Sequence, residues 1–313
     1  MKTDALVLVK PGQIDLTQVD VPDPGPGEVL VEVKANGICR GDIALFTGEL
    51  NYGYPFFHGH EPAGVVAAVG AGVKGLQPGD KVACLGSPSY RRHIVTGAWQ
   101  VAKIPDQSAD LALWVSEPPA CAVNGVQSSE LRIADKVALI GCGYMGMLVL
   151  QALPRETFGR FIAADTDASR LALARSLGAA ETYNPKETDL VALANGIGGF
   201  DVVIEAAGVP GTLPLATKML RNGGVLNVFG WHPGEEMLPT HEWHYRGLRV
   251  LNTAPMIVRD FTPCFRGAVA LMATGRMNQS RLISHRFPLS EVNRGFELAA
   301  GKKDGYIKGV VLF

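Results

Sequence analysis

The sequence predicts an α/β chain of two domains, a partly open β-barrel and a doubly wound parallel sheet. Three observations predict it. The first third alternates short β-like runs with Gly/Pro turns. From Glu117 onward, strand-like and helix-like stretches alternate. Residues 136–146, KVALIGCGYMG, read as a buried strand running into a glycine turn and then an apolar helix. At 313 residues the chain is also long for a single domain.

Taken in order, residues 5–9, 29–33, 64–69 and 81–84 are strand candidates, separated by PG, PDPGPGE and QPGD turns. Closely spaced strands with such turns favour a small barrel over an open sheet. A helical spacing follows over 120–131. Next come VALIG, a helix from Met147, FIAAD, a helix over 168–177, DVVIEAAG, a helix over 213–220 and VLNVFG. Repeated strand–helix units of this length imply right-handed crossovers in a parallel sheet. A helix over 262–273, then HRFPL and a closing strand IKGVVLF, end the chain. That strand is too apolar for a free tail and is expected to dock back onto the first domain. The expected boundaries are 1–117 with 271–313 for the barrel and 118–270 for the parallel sheet.

The glycine turn carries the most specific chemistry. Gly141-x-Gly143-x-x-Gly146 opens a helix, and FIAAD ends in Asp165, nineteen residues past the last glycine. The first glycine makes the tight turn, the second lets backbone approach a pyrophosphate, and the third lets helix and strand pack closely. The helix N-terminus offers unpaired N–H groups to phosphate, and the acid receives ribose hydroxyls. A nicotinamide dinucleotide is therefore expected, with Tyr144, Met145 and Ala207 beside it. Asp165 favours NAD(H) over NADP, because a carboxylate repels a 2′-phosphate.

Composition excludes other classes. Hydrophobic residues make up 47% and the net charge is −1, so there is no basic footprint for nucleic acid or an anionic membrane. The N-terminal MKTDALVLVKPG is read as neither signal peptide nor anchor, and no apolar stretch suits a bilayer span. The five cysteines lie far apart without a CxxC pair, which suggests reduced thiols and a cytoplasmic setting.

The first domain holds a second constellation. Cys39 lies in ANGICRGD, His60 and Glu61 lie in HGHEPAGVV, and Glu117 opens EPPACAV. A thiolate, an imidazole and a carboxylate from separate loops make three ligands for Zn²⁺ and leave a position open for substrate. On spacing alone, Cys39 also reads as a small core residue, the His-Glu pair as a polar turn, and Glu117 as a helix-start carboxylate.

GICRGD, GHEPAGVV with its downstream GDKV, the EPPA segment and VALIGCGYMG together resemble the zinc-dependent medium-chain dehydrogenase/reductases. HRFPL and FELAAGKKDGYIKGVVLF look like that family's closing segment. The resemblance spans essentially the whole chain. It implies a GroES-like catalytic domain, a Rossmann domain, and a cleft between them for cofactor and metal. By the same resemblance, Cys39, His60 and Glu117 match the catalytic-zinc positions, and Glu61 matches an acid beside the metal that serves as an alternate ligand. Glu at the third position is the habit of polyol and sugar dehydrogenases. Arg40 and Lys308 match phosphate-facing bases, and Arg170 a base near the adenosine ribose, although each also reads as a surface charge.

Two departures stand out. Relatives with a structural zinc carry four clustered cysteines after the GDKV strand, whereas here VACLGSPS runs directly to YRRHIVTG. One catalytic zinc and no structural zinc are expected. The family's Ser or Thr two residues after the cysteine relays the alcohol proton, and this chain has Gly41. Either water, helped by Glu61 or a histidine such as His58, carries the proton, or the reaction differs. His58 also reads as a packing residue. Cys121 and Cys142 read as a pocket wall and a small filler. His232, His241 and His244 read more readily as scattered histidines than as a second metal site.

These readings converge on hydride transfer between NAD(H) and a secondary alcohol or its ketone. The substrate expected is a polyol, a sugar derivative or a bulkier biosynthetic alcohol. Phe46, Tyr52, Tyr54, Phe56, Trp114 and Trp231 are the aromatic candidates for its cleft. The alternatives are a metal-free NADPH-dependent reductase and a non-catalytic dinucleotide sensor. A homodimer or homotetramer is expected, with no nucleic-acid or membrane partner.

Overall fold

The computed structural model describes residues 1–253, 260–302 and 304–313, so Lys303 of the closing segment lies outside the described residues. The chain forms two compact units, Met1–Ala120 with Phe265–Phe313, and Cys121–Cys264.

The first unit begins with an antiparallel hairpin, β1 (Lys2–Lys10) and β2 (Gln13–Asp20). Next is β3 (Glu28–Gly37), whose Val29, Val31, Val33 and Ala35 are buried at every second position, as the pleat requires. The short helix α1 (Arg40–Thr47) follows, and the sequence reading missed it. Eight residues are too few for a clear apolar period, so its caps define it. The Asp42 carboxylate accepts the Cys39 N–H at 3.0 Å, and Gly48 ends the helix at φ 80°. The strands β4 (Pro62–Val69), β5 (Lys81–Cys84), β6 (His93–Gly97) and β7 (Val101–Lys103) complete this stretch. In the QPGD turn before β5, Asp80 accepts the Gln77 amide at 2.9 Å. The helix expected over 120–131 is α2 (Glu117–Ser128). It starts three residues early because Pro118 and Pro119 fit the first turn, where no N–H is needed.

The second unit carries β8 (Lys136–Ile140), α3 (Tyr144–Ala152), β9 (Arg160–Ala164), α4 (Ala168–Ser176), β10 (Glu181–Tyr183), α5 (Leu190–Gly196), β11 (Phe200–Glu205), α6 (Thr212–Met219), β12 (Leu220–Val228), α7 (Thr240–Tyr245) and β13 (Arg249–Asn252). All six strands are parallel, in the order β10-β9-β8-β11-β12-β13, which is the doubly wound arrangement. Asp167 and Asp189 cap α4 and α5 by accepting the amides of the first turn. Ile140, Ile162, Phe200, Val203 and Leu226 form the core of the sheet.

The chain returns through α8 (Thr262–Ala273), β14 (Ile283–Pro288), α9 (Val292–Gly301) and β15 (Lys308–Leu312). The closing strand does dock onto the first unit. It pairs antiparallel with β3 and parallel with β14 in a seven-stranded sheet. α9 packs Phe296 against Phe46, with ring centroids 5.2 Å apart. Among the described residues no helix is long and apolar enough to cross a membrane.

Candidate active site

Three short segments of the first unit converge on Cys39. β3 ends at Gly37 and α1 begins at Arg40, so Cys39 sits at the helix N-cap. His60 and Glu61 lie just before β4. One donor atom from each of Cys39, His60 and Glu61 lies within 4.8 Å of the others, and this is the only such set of three among the described residues. Thiolate, imidazole and carboxylate form a donor set suited to Zn²⁺. Glu117, at the start of α2, lies outside that set but near enough for its charge to act on His60.

Polar groups beneath the set hold it in place. Asp42 is buried and accepts the Cys39 amide and the Tyr90 hydroxyl, each at 3.0 Å. Its other oxygen lies 3.1 Å from His58 Nδ1 and 3.8 Å from His60 Nδ1. Burial alone would raise the Asp42 pKa, but the bond to His58 and the charge of His60 outweigh it and lower the group well below the carboxylate range. His58 is buried edge-on against Tyr90, with ring centroids 4.8 Å apart, and its Nε2 has no hydrogen-bond partner among the described residues. It is the packing histidine rather than an exposed proton carrier. Burial pushes the Cys39 thiol up. Burial also works against a charged His60, but the Cys39 thiol and the Asp42 carboxylate offset it and lift His60 to about 11. A divalent cation reverses this logic by favouring the thiolate and the neutral imidazole.

Lys308 occupies a place that the sequence reading did not foresee. It was expected to face phosphate; instead its ammonium is buried, 2.6 Å from Glu61 Oε2, and donates to Glu61 Oε1 at 2.8 Å and the Ile38 carbonyl at 2.9 Å. Gly37 makes room for this pair, since a Cβ there would lie 1.8 Å from Glu61 Oε2. The signal in the sequence was a lone lysine in an apolar strand, and a buried lysine needs a carboxylate. Arg40 also has a local partner, Glu49 at 2.7 Å. Phe46, read as a cleft residue, is core, with Tyr54 and Phe56 packed around it. Tyr52 is exposed and lies 5.7 Å from Phe56. Trp114 is half-buried, and in the second unit Trp231 is exposed.

In that second unit the glycine turn has the expected form. Gly141 takes φ +96°, and a Cβ there would strike Ala207 N at 2.5 Å. A Cβ at Gly146 would lie 1.9 Å from the Gly141 carbonyl. At Gly143, the N-cap of α3, an added Cβ meets no atom of the described residues within 4 Å. Protein packing thus explains the outer two glycines, and the central one fits the approach of a ligand phosphate. Tyr144 is buried and Met145 half-buried at the helix start. Asp165 ends the second strand and accepts the Cys142 amide at 2.7 Å and the Asp167 amide at 2.9 Å. Arg170 lies 3.8 Å from it. Burial pushes the Cys142 thiol up to about 12, as befits a filler. His241 and His244 are exposed on α7 and join no metal-ligand set among the described residues.

Two family models match the chain. The alcohol dehydrogenase GroES-like domain matches residues 25–106, and the zinc-binding dehydrogenase domain matches residues 145–274. The chain belongs to the zinc-dependent medium-chain dehydrogenase/reductase family. As a member of that family it is an oxidoreductase of the zinc-binding dehydrogenase class; its named relatives are alcohol and polyol dehydrogenases. Sheep (Ovis aries) sorbitol dehydrogenase is 26% identical, with 94% of this chain and 92% of the relative covered. A zinc-binding dehydrogenase from Sinorhizobium meliloti, solved with NADP bound, is 28% identical over the full length of both chains with a TM-score of 0.84. The 2R,3R-butanediol dehydrogenase of Bacillus subtilis is 25% identical over 99% of each chain, also with a TM-score of 0.84.

Proposed function

We propose that this medium-chain dehydrogenase uses NAD(H) and a single catalytic zinc to interconvert a polyol or other vicinal secondary alcohol and its ketone. The observation that carries this reading is the gathering of Cys39, His60 and Glu61 beside the buried Lys308. Cys39 and His60 hold the metal. Charge balance favours Glu117 as the third ligand: Glu61 is already neutralised by Lys308, and a thiolate with one further carboxylate neutralises Zn²⁺. Glu61 is the alternate ligand. When bound, zinc supplies Lewis acidity at the substrate oxygen, and the nicotinamide supplies the hydride acceptor.

The chain's own groups do the positioning. Asp42 fixes the Cys39 backbone and stands beside His60. Gly41 has no hydroxyl, and no described residue lies within 4 Å of where its Cβ would be, which suits water as the group that takes the alcohol proton. Asp165 supports NAD over NADP, since its carboxylate would face a 2′-phosphate. The carboxylate in the ligand set, with sorbitol and butanediol dehydrogenases among the relatives, supports the diol class. Initial rates across polyols, vicinal diols and simple primary alcohols test it, each with NAD and with NADP. The fastest turnover should be on a diol with NAD; a marked preference for primary alcohols or for NADP would refute the assignment.

A further inference from the structure

A buried polar cluster of the second unit lies away from the glycine turn, between the loops that follow β11 and β12. These strands are neighbours in the parallel sheet, and both loops stand at its carboxyl end, where such sheets bind ligands. Glu205, the last residue of β11, is completely buried. Its Oε1 accepts the Ala207 amide at 2.8 Å and the Gly208 amide at 3.0 Å, and lies 2.9 Å from the Thr212 hydroxyl. Its Oε2 lies 2.7 Å from His232 Nε2, on the loop after β12. The other ring nitrogen of His232 is 3.7 Å from Glu236, and Glu236 accepts the Gly211 amide at 2.6 Å. One imidazole thus stands between two carboxylates, and each of these holds backbone amides of the β11–α6 loop.

That loop bears directly on the glycine turn. The Ala206 amide donates to the Ile140 carbonyl at 2.8 Å, and Ala207 leaves no room for a side chain at Gly141. We propose that His232 is a positioning residue for the dinucleotide: by satisfying Glu205 it holds residues 206–208 against the turn that receives the pyrophosphate. This role rests on the reading of the unit as an NAD(H) site. Without His232, Glu205 Oε2 loses its side-chain partner in a fully buried place, and the carboxylate must turn or take in water.

The test is NADH affinity of His232→Ala and His232→Gln, together with hydrogen exchange of residues 206–211 in nucleotide-free protein. Gln keeps an Nε donor toward Glu205 and forgoes the link to Glu236. The alanine variant should bind NADH about tenfold more weakly and exchange faster at Ala207 and Gly208, and the glutamine variant should recover most of both. Unchanged NADH affinity in the alanine variant would overturn the proposal, as would equal losses in the two variants. If the wild-type protein bound neither NADH nor NADPH, the reading of the site would fail and the positioning role with it.

Discussion

At the scale of single residues, the buried Glu61–Lys308 pair is the most consequential feature of the site. Both groups are almost fully buried, so neither tolerates loss of the other. Glu61→Gln is expected to destabilise the protein by about 3–5 kcal/mol, because it strands a buried ammonium. A Glu61→Gln/Lys308→Met double variant should recover part of that loss in urea denaturation. A double variant no more stable than the single one would show that the pair does not act as a unit. Gly41 offers the opposite kind of test. Among the described residues a Cβ there meets nothing within 4 Å, and its φ is ordinary, so Gly41→Ser should fold normally. It should also alter the pH profile of turnover if proton release limits the rate; an unchanged profile would place the proton path elsewhere.

At the scale of elements, the three glycines of the β8–α3 turn separate packing from ligand binding. Gly146→Ala drives a methyl group into the Gly141 carbonyl and should cost about 1–3 kcal/mol of stability. Gly143→Ala should cost less, about 0.5–1 kcal/mol for the poorer N-cap, since the new methyl group meets no described residue within 4 Å. It should nevertheless weaken dinucleotide binding at least as much as Gly146→Ala. Thermal melts and NADH titrations of the two variants check this, and a matched loss of stability would contradict it. These same elements show what was legible beforehand. KVALIG and FIAAD announce themselves because buried parallel strands are continuously apolar. The helices α1, α5 and α7 have six to eight residues each, too short for a period to emerge, and are set by caps and tertiary contacts. The positions of Cys39, His60 and Glu61 were legible through their motifs. Lys308 as the partner of Glu61 was not, because the pairing spans 247 residues and follows only from the register of β15 on β3.

At the scale of the whole molecule, acid sensitivity follows from carboxylates that tie distant segments together. Asp201 on β11 accepts the Lys136 amide at 2.7 Å and pairs with Arg221 at 2.5 Å. Burial would raise its pKa, but these partners outweigh it and the net shift is downward. The folded value thus lies below the unfolded value of about 3.9. Its stabilisation is complete above that value and lost as pH falls through the folded one. Asp201→Asn should therefore lower the urea midpoint at pH 7 and have a smaller effect near pH 3; an equal effect at both would contradict the assignment. The two units each carry a core, and the proposed function gives each a distinct task, metal in one and dinucleotide in the other. The resemblance was legible because motifs for both tasks occur in one chain.

The central claim is the metal. The measurement that tests it most directly is zinc content per chain in protein purified without chelator, for the wild type and for Cys39→Ser. About one zinc per wild-type chain is expected, largely lost in the variant along with more than about a hundredfold of turnover. No zinc after it is offered, two zinc ions per chain, or zinc retained in full by Cys39→Ser would contradict it.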